Sequence, residues 1–171
     1  PPNEAAGLFQ QRSTDLENRG QEIFFHLIAS AVSGHPLSAG ESALYDPAML
    51  PEMTALARYH DLTHLLAFGL KNNGLLTSED GNFENEIFRA VFRYEQLNYE
   101  LTRICGAFEK AQVPFIPLKG SVLRRHYPEP WMRTSCDIDV LVREEDLNRA
   151  TAALADALDY RIETKGAHDV Q

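Results

Sequence analysis

The 171-residue sequence predicts an α+β fold, in which a helical first part is followed by a smaller part of alternating strands and helices. Two observations support this division. Through residues 1–110, apolar side chains recur every three to four positions, as they do on the buried face of a helix. From residue 111 onward, short apolar runs alternate with helix-sized segments. We therefore expect a helical N-terminal region over residues 1–110 and an α/β core over residues 111–171.

Two helices are expected before residue 75. The first ends at Ser33-Gly34-His35-Pro36, because glycine and proline stop a helical pattern. Its apolar face consists of Ile23, Phe24, Leu27, Ile28, Ala31 and Val32. Proline is favoured in the first turn of a helix, so Pro51 marks the start of the second. This second helix is expected to continue through an apolar segment as far as Asn72-Asn73-Gly74.

A third, long helix is expected to begin after residues 78–81 and to end near Lys110. Its apolar stripe over residues 87–108 is broad and includes Phe88 and Phe92. Because a broad stripe needs partners on more than one side, we expect this helix to be packed from several directions, with its aromatic side chains in the core.

The second part is expected to have the order strand, helix, strand, helix, strand. Residues 113–118 form the first strand, which carries two prolines and is therefore expected at an edge. A short helix over residues 120–127 and a buried strand over residues 136–142 follow. Acidic residues then open a helix that reaches Leu158, and residues 160–164 form the last strand.

Composition narrows the class of function. The net charge of −9 argues against a broad nucleic-acid surface, so no long DNA or RNA partner is expected. No segment is apolar enough to span a membrane. Cys105 and Cys136 lack metal-ligand spacing, are expected to be buried, and favour a reduced, cytoplasmic setting. The chain starts at Pro1 rather than Met and stops at Gln171 just after a predicted strand, so we expect both ends to be incomplete and the α/β core to lack part of its C-terminus.

Two carboxylates on the predicted strand at 136–142 are the main candidates for metal binding. Side chains on a strand alternate between its faces, so Asp137 and Asp139 share one face while Ile138 and Val140 share the other. The two carboxylates lie about 7 Å apart along the strand. Carboxylates at this separation can jointly bind a divalent ion.

A phosphate-binding turn is predicted ahead of this strand, at Lys119-Gly120-Ser121. A glycine-serine turn before a helix offers free backbone N–H groups and a hydroxyl to a phosphate. The surrounding stretch is more basic than the chain as a whole, with Lys119, Arg124, Arg125, Arg133 and Arg143. A metal site beside a phosphate turn indicates nucleotidyl transfer.

Other residues carry weaker alternatives. His60 and His64 have the i, i+4 spacing of a zinc pair, but Asp61 replaces the usual glutamate and no third ligand follows, so a structural helix is favoured over a metal hydrolase. Trp131 and Met132 could wall a base pocket, although packing of their loop is favoured. The remaining histidines near the motif are His126, expected at the end of a short helix, and His168, a minor candidate for substrate contact.

The order of these elements resembles a known family. Residues 113–120 read Val-Pro-Phe-Ile-Pro-Leu-Lys-Gly and are followed by Tyr-Pro-Glu-Pro at 127–130, Arg133 and Asp-Ile-Asp-Val-Leu-Val at 137–142. With an acidic helix start and a closing Leu-Asp-Tyr, this arrangement resembles the bacterial uncharacterised nucleotidyltransferase family, which belongs to the DNA polymerase β-like nucleotidyltransferase superfamily. The resemblance covers roughly residues 85–168.

The resemblance implies a small mixed sheet flanked by helices. It also implies that Asp137 and Asp139 are the catalytic carboxylates and bind Mg²⁺ or Mn²⁺, and that Gly120 and Ser121 hold nucleotide phosphates. Lys119 and Arg133 would contact phosphate or substrate. The superfamily usually has a third carboxylate on a later strand, for which this chain offers only Glu163 and Asp169.

The expected activity is transfer of a nucleoside monophosphate from a nucleoside triphosphate such as ATP. The acceptor would be a hydroxyl of a small molecule or a protein, and the mechanism would use two metal ions. The alternative is a member that keeps the fold without catalysis, as a nucleotide-sensing or partner-binding module. A third carboxylate opposite Asp137 and Asp139 would favour the enzyme, and its absence would favour the non-catalytic module.

Overall fold

The computed structural model describes residues 2–76, 82–158 and 160–161, and of residues 2–17 it describes the backbone alone. The α+β class is confirmed. Within the described residues the elements are α1 (Pro2–Ser33), α2 (Ala39–Ser42), α3 (Leu50–Tyr59), α4 (Thr63–Asn72), α5 (Asn82–Lys110), β1 (Phe115–Pro117), α6 (Gly120–Leu123), β2 (Val140–Val142) and α7 (Leu147–Leu158). Short 3₁₀ turns lie at Pro47–Met49, Arg124–His126, Pro130–Met132 and Glu144–Asp146.

The helical part is built around α4. This helix packs against α1, α3 and α5, and Leu66, Ala67 and Leu70 are fully buried within it. The side chains that meet them come from all of these helices and from the turn before α3, with Ile23, Phe24, Leu27, Met49, Met53, Ala57 and Phe83 in the same core cluster. The first predicted helix does end at Ser33, as its Gly-His-Pro sequence indicated.

The expected continuous helix over residues 51–72 is wrong: the structure divides it into α3 and α4. Asp61 has a positive φ of 55° and lies between them. The Leu62 N–H bonds the Ala57 carbonyl at 2.7 Å and the Asp61 N–H bonds that of Arg58 at 3.3 Å, which together form a Schellman motif. Apolar periodicity did not reveal this break, because Asp61 ends α3 without glycine or proline.

The long helix is confirmed as α5, which begins at Asn82 and ends at Lys110. It packs against α4 on one part of its length and against α7 on another, as its broad stripe predicted. The expected burial of all its aromatic side chains is wrong. Phe88 and Phe92 are 67% and 54% exposed and stack on each other with ring centroids 6.3 Å apart.

The described sheet contains two antiparallel strands. Phe115, Ile116 and Pro117 of β1 pair with Val142, Leu141 and Val140 of β2. The strand expected over residues 136–142 is confined to Val140–Val142, so Asp137 and Asp139, expected on the strand, lie in the segment before it. Cys136, expected to be buried, is exposed in the same segment. A parallel strand, which a mixed sheet requires, is not among the described residues. Of the predicted last strand, residues 160 and 161 are in no strand and residues 162–164 lie outside the described part.

The inner face of the sheet packs on the C-terminal half of α5 and on α7. Ile104 and Phe108 of α5 and Ala150 of α7 are buried there. They meet the inward residues of the sheet region, which are Phe115, Ile138, Val140 and Val142. A hydrogen bond of 2.5 Å from the Tyr160 hydroxyl to Glu100 ties the end of the described chain to α5. The alternation predicted for residues 138–142 thus positions this strand on the helices.

Gly69 tests the contact between α1 and α4. A Cβ added at this position would lie 2.6 Å from the Leu27 carbonyl oxygen, so Gly69→Ala must separate the two helices. We expect a loss of about 1–3 kcal/mol in the free energy of unfolding, measured by urea denaturation. Gly106→Ala on α5 is the matched control, because nothing lies within 4 Å of the added methyl group. That variant should gain about 0.5–1 kcal/mol, and equal effects of the two would contradict the packing described.

Candidate functional site

The antiparallel pairing brings the predicted phosphate turn next to one of the predicted metal ligands. Beyond the last paired residues of the two strands, the Leu118 N–H donates to the Asp139 carbonyl at 2.9 Å. The following residue, Lys119, places its Nζ 3.3 Å from Asp139 Oδ2. Lys119 and Asp139 are therefore neighbours in space although they are twenty positions apart in sequence.

The backbone turns sharply at Lys119. Its φ of 46° and ψ of −113° are unusual for a residue with a side chain. The turn directs the Lys119 carbonyl into α6, where it accepts hydrogen bonds from Val122 and Leu123 at 3.1 and 2.9 Å. The N–H groups of Gly120 and Ser121 come first in this helix and have no intrahelical partner. These two donors directly follow Lys119 in the chain.

Ser135 closes the other side of the turn. A Cβ on Gly120 would lie 3.0 Å from the Ser135 hydroxyl oxygen, so the absence of a side chain at Gly120 permits this close approach. The Ser135 oxygen accepts a 2.5 Å hydrogen bond from Arg124 Nη2. Arg124 is buried, and its guanidinium carbon lies 5.5 Å from the centre of the Tyr94 ring. One buried arginine thus connects α5, the turn and the segment that leads to Asp137.

Asp137 and Asp139 differ in their surroundings. Asp137 is exposed, whereas Asp139 is about one-third exposed and carries the Lys119 ion pair. Their donor set suits Mg²⁺ or Mn²⁺, which bind one or two protein carboxylates together with substrate phosphate oxygens and water. The cation next to Asp139 in this structure is the Lys119 ammonium group. Among the described residues, no three His, Cys, Asp or Glu side chains form a metal cluster.

Arg133, predicted to contact phosphate, lines a narrow crevice between α5 and the segment before β2 together with Arg124. The Nε atoms of both arginines are buried and lack a hydrogen-bond partner in the described part of the chain. Burial lowers the pKa of Arg124, and the nearby positive charge of Arg133 acts in the same direction. Arg124 is buried and Arg133 is half-buried, and neither pairs with a carboxylate in the part of the chain that the structure describes.

His60 and His64 do not form a metal pair. His60 is exposed at the end of α3, and His64 is buried in α4, so they are not on one helical face. His64 Nε2 lies 2.9 Å from the Met132 carbonyl, which can only accept, so this nitrogen donates and Nδ1 of the neutral ring is an acceptor. The helical spacing on which the zinc hydrolase alternative depended is absent.

The remaining candidates are placed as follows. Trp131 and Met132 are buried, and Trp131 packs edge-on to Phe68 with ring centroids 5.2 Å apart, so loop packing is their role. His126 is exposed in the 3₁₀ turn after α6. Glu163, Asp169 and His168 lie outside the described residues.

Three residues near the site were not singled out as candidates from the sequence: Ser135, Arg124 and Arg93. Ser135 and Arg124 support the turn through the contacts given above. Arg93 lies on α5 and lines cavities next to residues 134–136. The basic character of residues 119–143 was a usable signal for Arg124, whereas nothing in the pattern of α5 distinguished Arg93 from other surface arginines.

A family model described as uncharacterised nucleotidyltransferase matches residues 46–171. The chain belongs to this family. Membership indicates a transferase of the nucleotidyl-transfer class, which uses nucleoside triphosphates and generally divalent metals. No curated protein and no solved structure matches the chain. In the part of the chain that the structure describes, no helix is long and apolar enough to cross a membrane.

The buried histidine predicts a pH dependence of stability. Burial is the largest influence on the pKa of His64 and lowers it, although the Met132 hydrogen bond partly opposes the effect. As the pH falls below about 6.5, the ordinary pKa of histidine, His64 becomes protonated in the unfolded chain but stays neutral in the folded chain. The stabilising contribution is therefore complete above that pH and is lost as the pH falls towards the lowered pKa of the folded state.

When the pH is lowered from about 7.5 to about 5, we expect the free energy of unfolding to decrease less in His64→Gln than in the wild type. The two slopes should differ by at most about 1.4 kcal/mol per pH unit. Glutamine retains a donor for the Met132 carbonyl but does not titrate. Denaturant titrations across this range measure the difference, and His60→Gln, which removes an exposed histidine, is the control. Parallel pH profiles for all three proteins would show that His64 does not titrate as inferred.

Proposed function

We propose that this protein transfers a nucleoside monophosphate from a nucleoside triphosphate to a hydroxyl of a small-molecule or protein acceptor. The observation that carries the proposal is the contact between the Lys119-Gly120-Ser121 turn and Asp139, held by the pairing of Leu118 with Asp139. A phosphate-binding turn and a metal-binding carboxylate must be neighbours for this chemistry, because the metal also contacts the phosphate oxygens. The helical region over residues 1–110 would support a catalytic part over residues 111–171.

In this proposal each residue of the site has a distinct task. Asp137 and Asp139 would hold two Mg²⁺ or Mn²⁺ ions, which when bound stabilise charge on the attacking and leaving oxygens. The N–H groups of Gly120 and Ser121 would donate to the β- and γ-phosphates. Lys119 and Arg133 would offset the negative charge of the triphosphate.

The transfer is a single displacement at phosphorus. The acceptor oxygen forms a bond to the α-phosphorus, and the bond from that phosphorus to the bridging oxygen breaks. Pyrophosphate leaves with the electron pair, and the proton of the acceptor hydroxyl passes to solvent water. The backbone donors beside Lys119 would hold the leaving pyrophosphate in line with the attack.

A second candidate is a nucleotide-sensing or partner-binding module that has lost catalysis. The observation that favours it is that the described residues contain only two acids at the proposed metal site and no cluster of three potential ligands. Nucleotide binding is common to both candidates, whereas turnover separates them.

Calorimetry with each of the four nucleoside triphosphates, with and without Mg²⁺, tests the proposed site. We expect metal-dependent binding by the wild type and its loss in Asp137→Asn/Asp139→Asn, because the metal would then lack both carboxylates. Turnover of labelled triphosphate by a single Asp139→Asn variant should fall by orders of magnitude, with an unchanged urea midpoint. A matched control is Asp156→Asn, which removes an exposed carboxylate from α7.

Three outcomes are distinguishable. Binding that survives in the double variant would locate the nucleotide elsewhere and refute the assigned residues. Binding without any turnover over a wide range of acceptors would favour the non-catalytic module. No binding of any triphosphate by the folded wild-type protein would refute the proposed activity.

A further inference from the structure

Two cavities, together called the groove, lie along one face of α5 next to the segment that leads to the proposed catalytic carboxylates. Glu86, Arg93 and Glu100 lie seven residues apart, so they share one helical face. The opposite wall is the segment over residues 134–136, which leads directly to Asp137. At one end is a cavity of about 180 Å³ lined by Asp61, His64 and Thr134 among others, and at the other an open cavity of about 360 Å³ lined by Ser135 and Cys136.

Arg93 lies at the centre of this groove. Its side chain lines both cavities and also the tightly packed strip between them, which is too narrow to admit a water molecule. Other arginines of α5 are neutralised by carboxylates, since Arg89 contacts Glu86 at 3.0 Å and Arg103 contacts Glu100 at 2.9 Å. Within residues 18–76, 82–158 and 160–161, no carboxylate pairs with Arg93. An exposed guanidinium without a partner in a groove is suited to an anionic ligand.

The smaller cavity offers a ligand hydrogen-bond acceptors in addition to the Arg93 guanidinium. His64 Nδ1 has no hydrogen-bond partner in the described part of the chain, and the neutral ring makes this nitrogen an acceptor. Asp61, held beside it by the Schellman turn, accepts a 3.1 Å hydrogen bond from the Thr134 hydroxyl and makes no described ion pair. Hydroxyl groups of a ligand could donate to both residues. The volume is below the roughly 300–1,000 Å³ of sites for drug-sized ligands, so a small occupant is indicated.

The groove is close enough to the carboxylates to present an acceptor. The Cα atoms of Thr134 and Asp137 are three residues apart and therefore at most about 11 Å from each other. Ser135 and Cys136, which line the open cavity, are the immediate neighbours of Asp137. A ligand anchored at Arg93 in the larger cavity would lie against Ser135 and Cys136, the residues that precede Asp137 in the chain.

We propose that this groove binds the acceptor of the transfer reaction, and that the acceptor is a small organic anion bearing several hydroxyl groups, such as a phosphorylated polyol. Its anionic group accepts hydrogen bonds from Arg93, one hydroxyl donates to His64 or Asp61, and another reaches the α-phosphorus at the Asp137 end. The role as acceptor site rests on the proposed function, whereas the binding of the anion does not.

The experiment measures binding in the absence of nucleotide and metal, so that it is independent of the proposed activity. Glycerol 3-phosphate, ribose 5-phosphate and glucose 6-phosphate are titrated into the full chain, labelled with ¹⁵N, and amide and histidine ring shifts are followed. Methyl phosphate provides the anion without hydroxyl groups, and glycerol provides the hydroxyl groups without the anion. We expect at least one sugar or polyol phosphate to bind more tightly than either control and to shift His64.

Arg93→Gln should weaken that binding by about ten- to hundredfold, since a charged hydrogen bond is lost. Arg58→Gln, which removes an exposed arginine of α3 outside the groove, should leave it unchanged. Asp137→Asn/Asp139→Asn should also bind the anion normally. This last result would hold even if nucleotide binding failed, so failure of the proposed function and failure of this inference remain distinct.

Several results would overturn the inference. Absence of binding by all three phosphates, or binding that Arg93→Gln leaves intact, would remove the anion site. Equal affinity for methyl phosphate and the polyol phosphates would show a simple phosphate site without acceptor recognition. Displacement of the bound phosphate by ATP in the Asp137→Asn/Asp139→Asn variant would show that Arg93 serves the nucleotide instead.

Discussion

The pairing of β1 with β2 is the constraint on which the candidate site depends. Its register extends to the hydrogen bond between Leu118 and Asp139, and this bond fixes where the next residue, Lys119, turns. A shift of one residue in the register would exchange the two faces of β2 and turn Asp139 towards the apolar cluster of α5 and α7. The register is specified because Ile138, Val140 and Val142 must face those helices. Packing on the inner face therefore determines the position of the carboxylates on the outer one.

The helix α5 connects the two-stranded sheet to the helical part of the molecule. Its first half is packed against α4, and its second half supports the sheet and α7. Between these two regions it carries Tyr94, under the Arg124 guanidinium, and Arg93, beside residues 134–136. The helical region is thus more than a support for the proposed catalytic part, because one face of α5 lines the cavities next to residues 134–136. This arrangement explains how a helical region could determine the acceptor in the proposed reaction.

Much of this architecture follows from sequence periodicity, and the failures have physical reasons. The alternation at residues 137–142 correctly predicted which side chains face the helices, although only Val140–Val142 form a strand. The length of α5 followed from its apolar repeat. The break at Asp61 was missed because a Schellman turn can be made by aspartate, without the glycine that usually marks it. Phe88 and Phe92 were expected in the core because periodicity shows that a stripe is apolar but not how much of it finds partners. Arg93 could not be identified at all, since its position depends on which loop lies beside α5.

The ion pair between Lys119 and Asp139 is consistent with a site that exchanges one cation for another. Lys119 is 71% exposed and Asp139 32% exposed, and an ion pair this accessible to solvent contributes only about 0–1 kcal/mol. The turn at Lys119 costs energy as well, because a residue with a side chain in such a conformation is strained by about 1–3 kcal/mol. The strain is maintained by surrounding contacts, namely the Leu118 bond before the turn and the bonds to Val122 and Leu123 after it. A metal-bound nucleotide could therefore replace the ammonium at Asp139 at little cost, and the released Lys119 would be left beside the phosphates it is proposed to bind.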